Sequence, residues 1–321
     1  MTTLSAPHPP GAGRTAGVMW SLLSAVLWST TFVAGRYLLA DGRVDPITLS
    51  ALRFVIGGLV LVLFAAARDR AAFLAVTPGQ LGRLALLGLV GIVGMSVLLF
   101  YGQQTTTASN SAIIMQLNPF MIALLGLLIG ERLTLRGVLG LFVALAGTLL
   151  VVGVASLRGL QFESDRLSGD LCVLLSACCW AIYSVLGKRT VSELGGFRAT
   201  AWVMAFGAVE LLLLWALLPI QHVWPRGAGT WLTILYLAIF PTALAFVAWY
   251  EAMRRIPLAV LNVMQYLTPP CTLLLAWLLL GEHITLAGWL GIALIVVGVV
   301  LVSAGERRRR QRAEEGSCAI S

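Results

Sequence analysis

Charged residues are scarce in this sequence. Only 11% of the 321 residues are Asp, Glu, Lys or Arg, whereas 59% are hydrophobic. A soluble globular domain carries about 25% charged residues, so this chain has too little polar surface to stay dissolved in water. The shortage of charge excludes an ordinary soluble protein and predicts a polytopic membrane protein.

Histidine and aspartate are missing from the long apolar segments, and this absence excludes several kinds of enzyme. His8, His222 and His283 all fall outside these segments, so an intramembrane serine–histidine protease would have no base. Every aspartate stands in a loop or at the edge of a segment, and no H-E-x-x-H metalloprotease motif occurs. The five cysteines have no metal-ligand spacing. We therefore expect neither an enzyme nor a bound metal or other cofactor.

Long apolar runs are what the sequence has instead. A bilayer core about 30 Å thick needs roughly 20 apolar helical residues to cross it. The predicted spans are residues 17–39, 46–67, 81–102, 108–129, 134–156, 168–190, 197–219, 229–250, 257–280 and 285–303. The sequence thus predicts an all-α polytopic membrane protein with ten transmembrane helices, and an even number places both termini on one side.

The basic residues select the side on which the termini lie. With the N-terminus in the cytoplasm, the basic residues of the outer loops are Arg36, Arg43, Arg158, Arg166 and Arg226. All other loop and tail arginines and lysines, including the run 307–310, then face the cytoplasm. Cytoplasmic loops carry the excess of Lys and Arg in membrane proteins, so we expect both termini to be cytoplasmic. The same rule explains the net charge of +8 without a nucleic-acid partner.

The chain repeats itself. Residues 130–152 align without gaps on residues 281–303, and Trp28 in the first span matches Trp180 in the sixth. Five spans in each half force the halves into opposite orientations, which is the inverted-repeat design of many secondary transporters. The expected organisation is a disordered cytoplasmic tail (1–16), a first repeat (17–156), an outer linker (157–167), a second repeat (168–303) and a basic cytoplasmic tail (304–321). Glycines at matched positions, among them Gly140, Gly147, Gly291 and Gly298, predict close helix packing.

Short motifs relate this pattern to a known family. Each half pairs a tryptophan-bearing first span with a closing G-E-x-[LI]-T-L hinge, at residues 130–135 and 281–286. Together with the segment Pro241-Thr242-Ala243-Leu244-Ala245 and the following Trp249-Tyr250, these features resemble the EamA family of the drug/metabolite transporter superfamily. The resemblance covers about residues 17–303. It implies a central cavity between the halves and export of amino acids, possibly aromatic, or related metabolites across a bacterial-type inner membrane.

Prolines in corresponding spans of the two halves indicate where a substrate would bind. Asn118-Pro119 interrupts span four, and Pro269-Pro270 interrupts span nine. A proline inside a helix removes a backbone hydrogen bond, and broken helices near the midplane form the binding sites of many secondary transporters. The alternative is a kink whose freed carbonyls bond a neighbouring helix. The residues near these breaks that we predict to bind substrate are Gln116, Asn118, Asn262, Gln265 and Tyr266.

Aromatic residues form a second candidate set. Trp28 and Trp180 lie about halfway along spans one and six, and Tyr183 shares the helical face of Trp180. We predict that these three residues also contribute to the substrate site. Phe100, Tyr101, Trp249 and Tyr250 stand near the ends of spans three and eight, where they are either gates or interface anchors.

Two charged residues lie inside spans, and an intramembrane charge is a functional hypothesis by default. Arg53 and Glu210 both lie roughly 10–14 Å below the outer surface, at 1.5 Å per helical residue. They are candidates for an ion pair, either structural or involved in coupling. A neighbouring arginine would keep the carboxylate ionised and a poor proton acceptor, which favours a facilitator over a proton-driven carrier.

Two glutamates outside the spans occupy matched positions in the two halves. Glu131 and Glu282 precede helix starts at which Thr134 and Thr285 are expected N-caps, so we predict a structural hinge role for all four residues.

The alternative function of the protein is that of a flippase or exporter of lipids, drugs or other hydrophobic solutes. The predicted partners are a small-molecule substrate and the bilayer, and a monomer is compatible with the sequence.

Overall fold

The computed structural model of the protein describes residues 12–39, 42–105, 114–130, 134–152, 164–218, 221–280 and 284–318. Within these ranges the chain consists of helices and short connections, and no β-strand occurs. The predicted all-α fold class is therefore confirmed for the described part of the chain.

The first half of the chain supplies helices α1 to α5. Their bounds are α1 Ala12–Leu39, α2 Pro46–Leu74, α3 Pro78–Gly88 continued by a π-helical turn Leu89–Gly94 and by Met95–Thr105, α4 Asn118–Leu128, and α5 Leu135–Val152. Asp45 caps the start of α2, because its side chain accepts hydrogen bonds from the backbone N–H groups of Ile47 and Thr48 at 3.1 and 2.9 Å.

The second half supplies helices α6 to α10, with irregular turns at matched places. Their bounds are α6 Ser164–Leu194, α7 Gly196–Leu217, α8 Ala228–Leu237 continued by a π-helical turn Ala238–Leu244 and by Ala245–Arg255, α9 Leu258–Met264 continued by a 3₁₀ turn Gln265–Leu267 and by Thr268–Leu280, and α10 Leu286–Cys318. The π-helical turns of α3 and α8 occupy corresponding positions in the two halves. We did not predict these turns from the sequence.

Seven of the described helices are long and apolar enough to cross a membrane. They are Pro46–Leu74, Pro78–Leu99, Leu167–Leu194, Gly196–Leu217, Ala228–Arg255, Leu258–Leu275 and Leu286–Arg309. The apolar helices Asn118–Leu128 and Leu135–Val151 are shorter. Large apolar side chains point outward from the bundle, among them Leu128 with 81% and Leu213 with 58% of its surface exposed. Such a surface suits a lipid solvent, and the count of ten spans stays a prediction.

Helices of the two halves pack directly against one another. Helix α1 packs against α8 and α9 of the other half, and its counterpart α6 packs against α3 and α4. Helix α2 packs against α7, and α5 packs along α10. Each contact between halves thus has a symmetry mate, as expected of two related repeats.

Glycines permit the close contact of α5 with α10. A β-carbon on Gly140 would lie 2.7 Å from the carbonyl oxygen of Gly298, and one on Gly147 would lie 2.6 Å from that of Gly291. These distances are too short for any side chain, so the predicted small-residue packing is confirmed at these four positions.

The beginning of α1 and the end of the apolar part of α10 lie at the same end of the bundle. The guanidinium of Arg14 donates to the carbonyl of Ser303 at 3.4 Å. At this end Gly17 of α1 also lies against the end of α8, where a β-carbon would be 2.6 Å from Ile256 Cγ2. We call this end of the molecule the terminal face.

Candidate functional site

A cavity of about 270 Å³ lies between the two halves. Its wall takes residues from α1, α2, α3, α4, α6, α8 and α9 and from the segment that leads into α4. The polar residues on the wall are Thr31, Ser50, Arg53, Ser96, Gln116, Asn118, Gln265 and Thr268. The aromatic residues on the wall are Trp28, Phe54, Trp180 and Phe246.

Breaks in α4 and α9 position four of the polar wall residues. The chain turns at Gln116 before α4 begins at Asn118, with Pro119 in the first turn of the helix. In α9 the 3₁₀ turn Gln265–Leu267 precedes a new helical start at Thr268, followed by Pro269 and Pro270. Each proline therefore begins a helix, where its missing N–H costs nothing, and each break lies just before it.

Tyr266 links the two breaks. Its side chain is fully buried, and its hydroxyl donates to the backbone carbonyl of Gln116 at 3.0 Å. We predicted that Tyr266 binds substrate, but the structure places it behind the cavity wall as a brace between α9 and the start of α4. Asn262, one turn before Gln265, is buried and also stands outside the lining residues.

Several polar atoms at the cavity have no partner among the described residues. Thr31 Oγ1, Asn118 Oδ1 and Gln265 Nε2 are buried without a hydrogen bond. Both side-chain amide atoms of Asn262, which lies behind the wall, are also without one. A buried polar group without a partner costs about 1–3 kcal/mol. Clustered donors and acceptors of this kind are suited to a polar ligand or to water.

Arg53 reaches the cavity from α2. Ser50, Arg53 and Phe54 share one face of that helix. The Nε and Nη2 atoms of Arg53 donate to Thr242 Oγ1 at 3.3 and 3.1 Å, and Thr242 lies fully buried in the π-helical turn of α8. Irregular turns of this type occur frequently at functional sites.

The structure does not bring Arg53 and Glu210 together. Glu210 Oε2 lies against Gly88 of α3, at 3.0 Å from the position that a β-carbon there would take, and Glu210 is not part of the cavity wall. Within the described residues, Oε2 has no hydrogen-bond partner and Arg53 forms no ion pair. The two intramembrane charges therefore occupy separate places.

An aromatic cluster separates the cavity from the terminal face. Trp28 contacts Trp180, Phe246 and Trp249 with ring centroids 5.5, 5.7 and 5.4 Å apart. Further along α6 and α8 toward that face, Tyr183 stacks on Tyr250 at 5.4 Å. Trp249, Tyr183 and Tyr250 are at most 1% exposed, so these side chains are packed closely between the cavity and the terminal face. We use the name aromatic cluster for Trp28, Trp180, Tyr183, Phe246, Trp249 and Tyr250.

The four predicted gate residues differ in what can be said of them. Trp249 and Tyr250 belong to the aromatic cluster. They do not form an interface belt, because both are buried inside the bundle. The side chains of Phe100 and Tyr101 lie outside the described part of the structure.

Of the four predicted hinge residues, the structure describes the two threonines but not the two glutamates. Thr134 Oγ1 accepts from the backbone N–H of Gly137 at 3.0 Å, and Thr285 Oγ1 accepts from that of Gly288 at 3.1 Å. These bonds are those of N-cap residues. Glu131 and Glu282 lie outside the described residues.

Sequence reasoning missed the small hydroxyl residues of the wall and the partner of Arg53. Thr31 lies three residues after Trp28, on the same helical face, and this spacing was a usable signal. Nothing comparable in the sequence pointed to Ser50, Ser96 or Thr268. Thr242 stands in the Pro-Thr-Ala segment that carried the family resemblance, but nothing in the sequence pairs it with Arg53.

Comparison with known proteins identifies the family. The model of the "EamA-like transporter family" matches residues 15–153 and again residues 167–304. The chain is 28% identical over 296 residues to the uncharacterized transporter YyaM of Bacillus subtilis, an alignment that covers 91% of this chain and 95% of that protein. It is 29% identical over 301 residues to the aromatic amino acid exporter YddG of Ancylobacter novellus, covering 92% and 99%.

Two further matches agree with these. A probable terminal-alkyne amino-acid exporter of Streptantibioticus cattleyicolor is 29% identical, with 92% of this chain and 96% of that protein aligned. A solved crystal structure that is 28% identical superposes with a TM-score of 0.79 over 92% of this chain and 99% of its own. The apolar helices, the interlocked halves and the two consecutive family matches make this a multi-pass membrane protein of two repeats. The chain therefore belongs to the EamA-like transporter family.

Proposed function

We propose that this protein is a secondary transporter of a bacterial-type inner membrane that exports amino acids, or related small metabolites, by alternating access. It crosses the membrane ten times as two inverted five-helix repeats. The observation that carries the proposal is the cavity between the halves, where polar atoms without partners among the described residues face aromatic walls. A pocket of this kind holds a solute by its polar groups and covers the remainder with apolar surface.

The terminal face is the cytoplasmic side in this proposal. Support comes from the arginines that cluster there, such as Arg254 and Arg255 at the end of α8 and Arg307 to Arg309 on α10, because cytoplasmic segments carry the excess of basic residues. The cavity then faces outward, and the aromatic cluster closes the cytoplasmic path. Loading from the cytoplasm requires Trp28 and Trp180 to separate from Trp249.

An ion pair joins the two halves on the proposed cytoplasmic side. Arg83 of α3 pairs with Glu193 of α6. Glu251 of α8 pairs with Arg254 and Arg255 of its own helix and accepts a hydrogen bond from the backbone N–H of Phe197 in α7 at 3.2 Å, so its contacts order the second half. Because an exposed ion pair contributes about 0–1 kcal/mol, the Arg83–Glu193 pair can guide closure without making it irreversible.

Amino acids are proposed as the substrate class because two relatives carry that description in their names, as exporters of aromatic and of terminal-alkyne amino acids. The walls formed by Trp28, Trp180 and Phe246 suit an apolar or aromatic side chain. No feature of the described residues favours a lipid flippase over this function.

Counterflow in liposomes tests the proposal. We expect the purified full chain to exchange labelled amino acids, with aromatic ones among the best substrates. Trp28→Ala and Asn118→Ala should slow exchange at least about tenfold, as expected when a good binding contact is lost. The matched control is Trp289→Ala, because Trp289 is 49% exposed on the outside of the bundle. Lipid scrambling without any amino-acid exchange would replace this function by the flippase alternative.

Reporter fusions test the topology separately. A cytoplasmic reporter joined after Ser321 and one placed before α1 should both be active, and a periplasmic reporter should be active in the connection between α7 and α8. The opposite result would invert the transporter and the direction in which the cavity faces.

A further inference from the structure

Arg53 is the only charged residue on the cavity wall within the part of the chain that the structure describes. Its observed partner is the neutral hydroxyl of Thr242, which accepts from both Nε and Nη2. A guanidinium carries five N–H donors, so this single acceptor does not exhaust it. No aspartate or glutamate lines the cavity among those residues.

A cation inside the membrane needs an anion or water close by. Removing an ion from water costs several kcal/mol unless an opposite charge and hydrogen bonds compensate, and Glu210 does not compensate because it lies against α3. The planar fork of a guanidinium matches the two oxygens of a carboxylate. The electrostatics of the wall therefore favour a solute that carries its own negative charge.

We propose that Arg53 anchors a carboxylate of the transported solute, which makes the substrates small carboxylic acids rather than amines or amides. This inference rests on the proposed transport function and deepens it by naming the group that is recognised. The Arg53–Thr242 contact joins α2 of the first half to α8 of the second. A carboxylate bound at Arg53 is therefore held at the junction between the halves, where alternating access must act.

The rest of the wall sets the shape of this solute. Asn118 Oδ1 can accept a hydrogen bond from an ammonium or amine, and Gln265 Nε2 can donate one to an acid. Neither atom has a partner in the part of the chain that the structure describes. Trp28, Trp180 and Phe246 cover an apolar remainder. A volume of about 270 Å³ lies below the ≈300–1,000 Å³ typical of pockets for drug-sized ligands, which suits a solute of about the size of one amino acid.

Matched analogues test which end of the solute is recognised. Inhibition of labelled phenylalanine counterflow is measured for phenylalanine, 3-phenylpropionate (no ammonium), phenylalaninamide and 2-phenylethylamine (both without a carboxylate). A second series uses leucine, 4-methylpentanoate, leucinamide and 3-methylbutylamine with labelled leucine. Quenching of tryptophan fluorescence by each compound reports binding directly, because Trp28 and Trp180 stand on the wall. We expect each acid to bind about tenfold or more tightly than the amide and amine of its series.

The variants Arg53→Gln and Arg53→Lys then locate this preference. The measured quantity is the ratio of acid to amide affinity within one protein, so a lower yield of folded variant does not affect it. Arg53→Gln should bring the ratio close to one, and Arg53→Lys, which keeps the charge but loses the planar fork, should give an intermediate ratio. Arg226→Gln is the matched control, since Arg226 is exposed and lies off this cavity.

The outcomes separate this inference from the transport proposal. If the wild type binds amides as well as acids, or if both Arg53 variants keep the full acid preference, the carboxylate anchor is wrong while transport stands. If no compound of either series binds or exchanges, the amino-acid transport proposal fails and the anchor fails with it. If neither variant inserts into the membrane, the wild-type protein still provides a test. A wild-type ratio of acid to amide affinity close to one would contradict the carboxylate anchor.

Discussion

The two halves of the chain contribute unequally to the space between them. Most polar wall residues come from the first half, namely Thr31, Ser50, Arg53, Ser96, Gln116 and Asn118, whereas the second half adds Gln265 and Thr268. The aromatic cluster has the opposite origin, because only Trp28 comes from the first half. The first half mainly forms the polar wall, and the second half mainly closes the path.

Repeat-related positions on α1 and α6 illustrate this difference. Trp28 and Trp180 correspond, and both reach the cavity. One turn later, Thr31 corresponds to Tyr183: the threonine hydroxyl faces the cavity wall, while the tyrosine is fully buried in the cluster. Two helices with related backbone positions therefore carry different chemistry. The inverted repeat supplies the frame for alternating access, and divergence of its side chains separates binding from closure.

The largest effect is expected from a substitution that disrupts the aromatic cluster, which comes mainly from the second half. The ring of Tyr183 occupies the space that a side chain on Gly91 would need, so Gly91→Leu should overpack this region by about 1–3 kcal/mol or more. We expect a lower melting temperature in detergent and loss of transport. Gly82→Leu on the same helix is the control, because a β-carbon there meets nothing within 4 Å. Equal melting of the two variants would contradict the close fit of Tyr183.

The next effect separates binding from bracing in the wall. Asn118→Ala removes a buried oxygen that has no partner within the described ranges, so substrate affinity should fall about tenfold with little change in stability. Tyr266→Phe removes the 3.0 Å bond to Gln116, which should cost about 1 kcal/mol of stability and change affinity less. Melting curves and substrate titrations on the same samples distinguish them. The reverse pattern would exchange their roles.

A smaller effect is expected at Glu210, which belongs to the second half but lies away from both the wall and the cluster. Glu210→Gln should leave counterflow within about twofold of wild type, since the carboxylate does not reach the cavity. An Arg53–Glu210 pair does not support a facilitator, because Arg53 bonds Thr242 instead. We still expect no strong accumulation driven by a pH gradient, because Glu210 does not line the cavity. Accumulation that is present in wild type and lost in the variant, with counterflow intact, would make Glu210 the coupling site.

Hydropathy and the internal repeat made the helical frame predictable from the sequence. Every membrane-spanning helix must be apolar over a minimum length, and residues that recur at a fixed offset, such as Trp28 and Trp180, reveal the repeat directly. The matched prolines located the breaks for the same reason, although Pro119 and Pro269 begin the new helices rather than interrupt old ones.

The finer features of the site were not predictable, because they depend on contacts between distant parts of the chain. The bond from Arg53 to Thr242 joins residues 189 positions apart. Arg53 and Glu210 looked like partners only because their depths in the membrane are similar. Small hydroxyl residues such as Ser50 and Ser96 occur on every face of apolar helices, so the sequence does not show which of them line the cavity. The π-helical turns of α3 and α8 pack against α7 and α2 respectively, and no pattern in the sequence indicated them.

The smallest expected effect compares two neighbouring threonines of α1. Thr30 Oγ1 donates to the carbonyl of Leu27 at 2.8 Å and accepts from the hydroxyl of Tyr236 at 3.0 Å, whereas the buried Thr31 Oγ1 has no partner among the described residues. Thr31→Val should leave the free energy of unfolding unchanged or raise it by up to about 1 kcal/mol, because it removes an unsatisfied hydroxyl. Thr30→Val should lower it by about 1 kcal/mol, because it leaves Tyr236 without its acceptor. Substrate affinity should respond in the opposite order, with a fall of a few fold for Thr31→Val and no change for Thr30→Val. If Thr31→Val destabilises the protein and leaves affinity unchanged, its hydroxyl serves the fold, and the polar wall of the first half is smaller than the cavity geometry indicates.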